Sequence, residues 1–163
     1  MTKQYDTTRP CIDTSGNFHV LTDIYDLHDY EQDADIFASH YQDFAQGEKL
    51  RETHPDRQTP VDGLPVFISE YGGIKWDVTR EGQNQERNWG YGKGPQSLEE
   101  YLERYKRLTD TLLDNPRMFG FCYTQLYDVE QDVNGLYTSD RVPKFDMEVI
   151  REINSRKAAI ECN

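Results

Sequence analysis

The sequence predicts an α/β fold with a parallel sheet, and two observations predict it. Strand-like apolar runs alternate with helix-patterned segments three times along the 163 residues, an order that joins parallel strands through right-handed crossovers. The composition, 36% hydrophobic and 29% charged, is that of a globular chain with a wet surface. Three strands are few for a finished sheet. The pattern alone leaves open a small three-layer sandwich or a slice of a closed eight-stranded barrel, which needs ~250 residues when whole.

Residues 18–25 carry Val20, Leu21, Ile24 and Tyr25 and read as the first strand. Ile36, Phe37, His40, Tyr41 and Phe44 then mark one face of a helix. Residues 47–63 are polar and turn-rich, a loop. Leu64-Pro65-Val66-Phe67-Ile68 is apolar without alternation, as in a strand covered on both faces, and it stops at Ser69-Glu70-Tyr71-Gly72-Gly73. Residues 75–94, with Trp76, Trp89 and Tyr91, form a long irregular stretch, and such loops are usually functional or disordered.

The clearest helix follows. Ser97 and Glu100 form a capping-box pattern, and Leu98, Tyr101, Leu102, Tyr105, Leu108 and Leu112 mark its face until Asn115-Pro116 stops it. Residues 118–123 read as the third strand, with Cys122 expected as a small buried hydrophobe. After a loop through Pro143, a last helix carries Phe145, Val149, Ile150 and Ile153.

The net charge is −12, from 30 acidic and 18 basic residues. That field repels phosphate backbones, so nucleic acid is excluded as a partner. No run approaches the ~18 apolar residues of a membrane span, and residues 1–10 hold no apolar signal core. The three cysteines, Cys11, Cys122 and Cys162, show no C-x-x-C spacing. A cytoplasmic chain without membrane contact is expected. No metal is expected either: His19, His28, His40 and His54 lack zinc spacing. The calcium-like run from Glu130 has Arg141 where a bidentate glutamate belongs. No glycine motif suits a phosphate, and no cofactor is expected.

In a parallel barrel, chemistry sits at the C-terminal ends of the strands. Those ends read Asp26-Leu27-His28-Asp29-Tyr30, Ser69-Glu70-Tyr71-Gly72-Gly73 and Tyr123-Thr124-Gln125-Leu126-Tyr127-Asp128. Carboxylates, amides and aromatic rings together are what a sugar site needs. Glu70, rigid from below and open above, suits a nucleophile. From pattern alone, an acidic residue that merely ends a strand is the commoner case.

Pro65-Val66-Phe67-Ile68-Ser69-Glu70-Tyr71-Gly72-Gly73 resembles the nucleophile strand of glycoside hydrolase family 2, the β-galactosidase and β-glucuronidase family. Asp23-Ile24-Tyr25-Asp26-Leu27-His28-Asp29-Tyr30 resembles that family's sixth barrel strand. Gly120-Phe121-Cys122-Tyr123-Thr124-Gln125-Leu126-Tyr127-Asp128 resembles its eighth, and Gly135-Leu136-Tyr137-Thr138 with Arg141, Pro143 and Lys144 the segment after it. The resemblance covers most of residues 5–155. It implies that residues 1–163 are the C-terminal portion of a partial (β/α)8 TIM barrel, about its last three strand–helix units. It also implies a retaining glycosidase acting on β-linked sugars through a covalent intermediate on Glu70, held and tuned by Tyr30. His28, Asp29, Trp76, Tyr123, Gln125 and Asp128 are the implied sugar contacts.

Two departures qualify this. The family's acid/base glutamate follows an asparagine on the fourth strand, and no Asn-Glu pair occurs in this sequence. The chain alone is therefore expected to be inactive or very weak. Uronate-binding members use an Asn-x-Lys near the loop after the eighth strand. Here that loop, Val129-Glu130-Gln131-Asp132-Val133-Asn134-Gly135, is acidic and lacks lysine, which favours a neutral, galactose-like sugar. The rival readings are a carbohydrate-binding or structural remnant and a piece that needs a partner chain. Uncovered barrel edges would promote self-association.

Overall fold

The computed structural model describes residues 2–57, 59, 62–80 and 90–162. Trp89 and most of the irregular stretch before it lie outside the described residues. Three strands, β1 (Tyr25–Asp29), β2 (Val66–Gly72) and β3 (Met118–Thr124), form one sheet in the order β1-β2-β3. Both pairings are parallel. A four-residue turn of helix, α1 (Thr2–Tyr5), precedes the sheet. Three longer helices, α2 (Ala34–Ala45), α3 (Leu98–Leu113) and α4 (Met147–Asn154), follow one strand each. This is a small α/β unit compatible with part of a barrel.

The helices form because their caps and apolar stripes agree. The Asp33 side chain accepts from the amides of Asp35 and Ile36, and Asp146 accepts from that of Glu148, so the first turns of α2 and α4 are capped. Ser97 caps α3 by accepting from the Glu100 amide at 3.1 Å. The expected reciprocal bond is displaced by one residue, since the Glu100 carboxylate takes the Gln96 amide at 2.7 Å. Phe37, Tyr41 and Phe44 of α2, Tyr101, Tyr105, Leu108 and Leu112 of α3, and Ile150 and Ile153 of α4 join Tyr25, Leu27, Ile68 and Tyr71 in one core. Each fully buried aliphatic side chain there contributes about 1.5–3 kcal/mol. Tyr71 ties the layers together: its ring meets Phe37 of α2, and its hydroxyl lies 2.9 Å from that of Thr109 on α3.

Three expectations need correction. The first strand covers residues 25–29, not 18–25. Val20 and Leu21 are 59% and 82% exposed, and the Asp13 carboxylate holds their amides at 2.7 and 2.8 Å. Two adjacent apolar residues in a side-chain-pinned loop imitated a strand. β2 continues two residues past Glu70, because Tyr71 and Gly72 still pair with Tyr123 and Thr124. Cys122 is exposed, since β3 lies at the edge of the sheet and only one of its faces meets α3.

The outer edge of β1 is not bare. His19 Nε2 lies 2.7 Å from the Asp26 carbonyl oxygen and 3.2 Å from its amide. The Asp26 carboxylate takes the Gly16 amide at 2.7 Å, so residues 11–23 cover that edge through side chains. No helix among the described residues is long and apolar enough to cross a membrane.

Candidate active site

Glu70 stands where the sheet's register breaks. β1 and β2 shift between Leu27 and His28, which sets His28 beside Glu70, and β2 and β3 shift between Ile68 and Tyr71. Such irregularities re-aim a side chain out of the regular pleat. The Glu70 side chain keeps 38% of its exposure.

Two groups converge on one of its oxygens. The Tyr30 hydroxyl, one residue beyond β1, donates a hydrogen bond to Oε2. His28 Nδ1 lies 3.6 Å from the same oxygen, too far for a hydrogen bond. The imidazole is steadied on its other side by the Ser15 hydroxyl, 3.1 Å from Nε2. Gly16, at φ +59°, presses against that ring, and a Cβ there would fall 2.2 Å from it. Only glycine permits the approach.

A further ring completes the corner. Tyr91 stacks on Tyr30 with centroids 3.5 Å apart and planes at 7°. Gly73 makes room for the pair: at φ +61°, a Cβ would come within 2.5 Å of Tyr91 and 3.3 Å of Tyr30. Burial, then the charges of Glu70 and Asp132, push the Tyr91 phenol above its ordinary pKa. A polar brace lies behind these rings. The Gln32 side-chain amide donates to the carbonyls of Tyr30 and Gly72 at 3.0 and 2.5 Å. Arg104 donates to Gln32 at 3.4 Å and to the Lys93 carbonyl at 2.8 Å.

The implied sugar contacts divide. Of these only His28 lies beside Glu70, together with Tyr30, the residue expected to hold it; the structure turns four others toward the chain itself. The Asp29 carboxylate points to α2, accepting from His40 Nδ1 at 2.7 Å and the Tyr41 hydroxyl at 2.8 Å. Trp76 is 2% exposed and packs against Tyr101. The Tyr123 hydroxyl lies 2.8 Å from that of Tyr101, and burial drives its phenol pKa well up. Asp128 accepts from Lys144 Nζ at 2.6 Å and from the Gly135 amide at 2.9 Å. That ammonium, fully buried, also donates to the carbonyls of Trp76 and Val133 at 2.7 and 3.0 Å. Gln125 is half-buried, and among the described residues its Nε2 has no partner.

Sequence reasoning passed over Tyr91, Ser15, Gln32 and Arg104 as site residues. For Tyr91 a signal existed: an aromatic between Gly90 and Gly92 in a long loop after the Glu70 strand. As arranged, the corner offers a half-exposed carboxylate with one oxygen engaged, able to attack an electrophilic carbon or to accept from a hydroxyl.

No protein-family model and no curated protein sequence matches the chain. Solved structures do. A β-glucuronidase of an uncultured Clostridium sp. is similar at 17% identity and TM-score 0.59, over 92% of this chain and 27% of that one. One from Faecalibacterium prausnitzii is similar at 19% and 0.52, over 84% and 22%. The Bifidobacterium dentium β-glucuronidase complexed with coumarin-3-O-glucuronide is similar at 20% and 0.51, over 80% and 20%. The chain thus spans about a quarter or less of each of these relatives. At such identities the likeness is one of fold: this α/β unit matches a part of bacterial glycoside hydrolases.

Proposed function

We propose that this chain is the nucleophile-bearing part of a retaining, family 2-like glycosidase barrel, acting on β-linked neutral sugars. The observation that carries the reading is the Glu70 carboxylate, half-exposed near the C-terminal end of β2 with Tyr30 donating to Oε2. Glu70 attacks the anomeric carbon, the glycosidic C–O bond breaks, and the aglycone leaves with the electron pair. Water then cleaves the glycosyl ester and restores the carboxylate. A poor leaving group needs a proton from a second carboxyl ~5–5.5 Å from the nucleophile. That acid is assigned to a segment outside this sequence, so the chain alone should act only on sugars whose leaving group needs no proton.

The preference for a neutral sugar is supported by charge. Lys144 is consumed by Asp128 and two carbonyls, while Asp132 lies close enough to raise the Tyr91 pKa. A uronate would meet negative charge there.

The test is a dinitrophenyl β-galactoside with added azide. The wild-type chain should give β-glycosyl azide by double displacement, and Glu70→Ala the α-anomer by a single one. Identical products, or turnover indifferent to Glu70, would leave the corner a sugar-binding remnant.

A further inference from the structure

We propose that Tyr91 is a positioning residue of this site: its ring holds Tyr30 so that the Tyr30 hydroxyl stays on Oε2 and Oε1 is left as the attacking atom. The inference rests on the reading of Glu70 as a nucleophile.

Tyr30 lies just past the end of β1, so its ring is not fixed by cross-strand neighbours in a ladder. Where its hydroxyl points depends on two side-chain torsions, and something must select one setting. Two rings do so. Tyr91 covers one face at 3.5 Å, and the His28 ring meets Tyr30 edge-on at 6.1 Å and 78°. Both the hydroxyl and His28 Nδ1 address Oε2, so the clamp sorts the two carboxylate oxygens.

The backbone is arranged for this stack. Gly72 and Gly73 at φ +82° and +61° turn the chain at the end of β2, and a side chain at Gly73 would collide with the Tyr91 ring and crowd that of Tyr30. The Tyr91 amide donates to the Gly73 carbonyl at 3.3 Å. Arg104 holds the Lys93 carbonyl and, through Gln32, the Tyr30 carbonyl. One brace therefore keeps both partners of the stack in step. The stack uses the face of Tyr91, so phenylalanine should replace it and leucine should not.

The experiment uses the full chain as wild type, Tyr91→Phe, Tyr91→Leu, Tyr30→Phe and the double variant Tyr30→Phe/Tyr91→Leu. Tyr91→Gln replaces the leucine variant if that one does not fold. The first readout is the rate of covalent labelling by 2-deoxy-2-fluoro-β-galactosyl fluoride, followed by intact mass. The second is the Tyr30 hydroxyl proton in the NMR spectrum, which needs no sugar chemistry. Tyr91→Phe should match wild type in both. Tyr91→Leu should lose the hydroxyl resonance and label about 10-fold more slowly or worse, the scale of a misplaced reacting group. In the double variant the leucine change should add nothing to Tyr30→Phe, as expected for residues acting in series. Wild-type labelling in Tyr91→Leu, or independent multiplication of the two effects, overturns the proposal. If the wild type does not label at all, the nucleophile reading fails. The stack is then judged by the hydroxyl resonance, whose persistence in Tyr91→Leu refutes it.

Discussion

Glu70, two residues before the end of β2, and Asp128, four residues beyond β3, are both carboxylates with a basic side chain beside them. Their surroundings separate them. Lys144, fully buried, donates to Asp128 at 2.6 Å while two carbonyls take its other protons. Glu70 has an imidazole at 3.6 Å and a phenol on one oxygen, and keeps 38% exposure. A buried pair with every donor spent closes a loop. A half-open carboxylate with one oxygen held is available to a ligand. Residue type at a strand end therefore says little about function until the partners are counted.

The largest expected effect separates the corners by chemistry. Glu70→Gln should slow covalent labelling by the fluorosugar on the order of 10⁴-fold or more, as loss of a nucleophile does. Asp128→Asn should change the rate of the folded protein by less than about threefold, because nothing places that carboxylate at the reacting atom. Rates measured by intact mass over a time course decide it.

Stability should run the opposite way. Lys144→Met leaves the Asp128 carboxylate without its cation and should cost about 3 kcal/mol in urea unfolding, the scale for breaking a buried pair. Glu70→Gln should cost less than about 0.5 kcal/mol, as for a half-exposed side chain outside the core. Equal costs would erase the contrast between the corners.

A smaller effect depends on pH. Burial works against the charge of Asp13, but the amides of Leu21 and Val20 and the His19 imidazole outweigh it and hold the carboxyl down at about 2. A folded value below the unfolded 3.8 gives stability that is present above 3.8 and lost as pH falls toward about 2. Because Asp13 pins the loop that carries Ser15 to His28, acid should loosen the Glu70 corner. Asp13→Asn should flatten that part of the pH–stability curve, read from urea midpoints. The smallest effect is spectroscopic. Removing the Glu70 charge in Glu70→Gln should lower the Tyr91 titration point, seen by ultraviolet difference absorbance, since that charge is one cause of its rise.

How much of this was legible in the sequence follows from which forces are local. α2, α3 and α4 were readable because caps and apolar stripes act within a few turns, as at Ser97 and along Leu98–Leu113. The first strand was misplaced by pattern, because Val20 and Leu21 look strand-like while their amides are bound by a distant carboxylate. Resemblance, not pattern, pointed to Tyr30 beside Glu70. Alternation could have divided the rest of that motif. Residues two apart share a face of a strand, so His28 goes with Tyr30, while Asp29 goes with Tyr25 and Leu27 toward the helices. The Tyr30–Tyr91 stack joins residues sixty-one positions apart in sequence, beyond any local rule.

The most direct test of the central claim is to find where the fluorosugar attaches. The chain is treated with 2-deoxy-2-fluoro-β-galactosyl fluoride, digested, and its peptides are mapped by mass. A single glycosyl adduct on Glu70, absent from Glu70→Gln and unchanged in Asp128→Asn, is the predicted result. An adduct on Asp128 or elsewhere, or one that survives Glu70→Gln, would contradict the account.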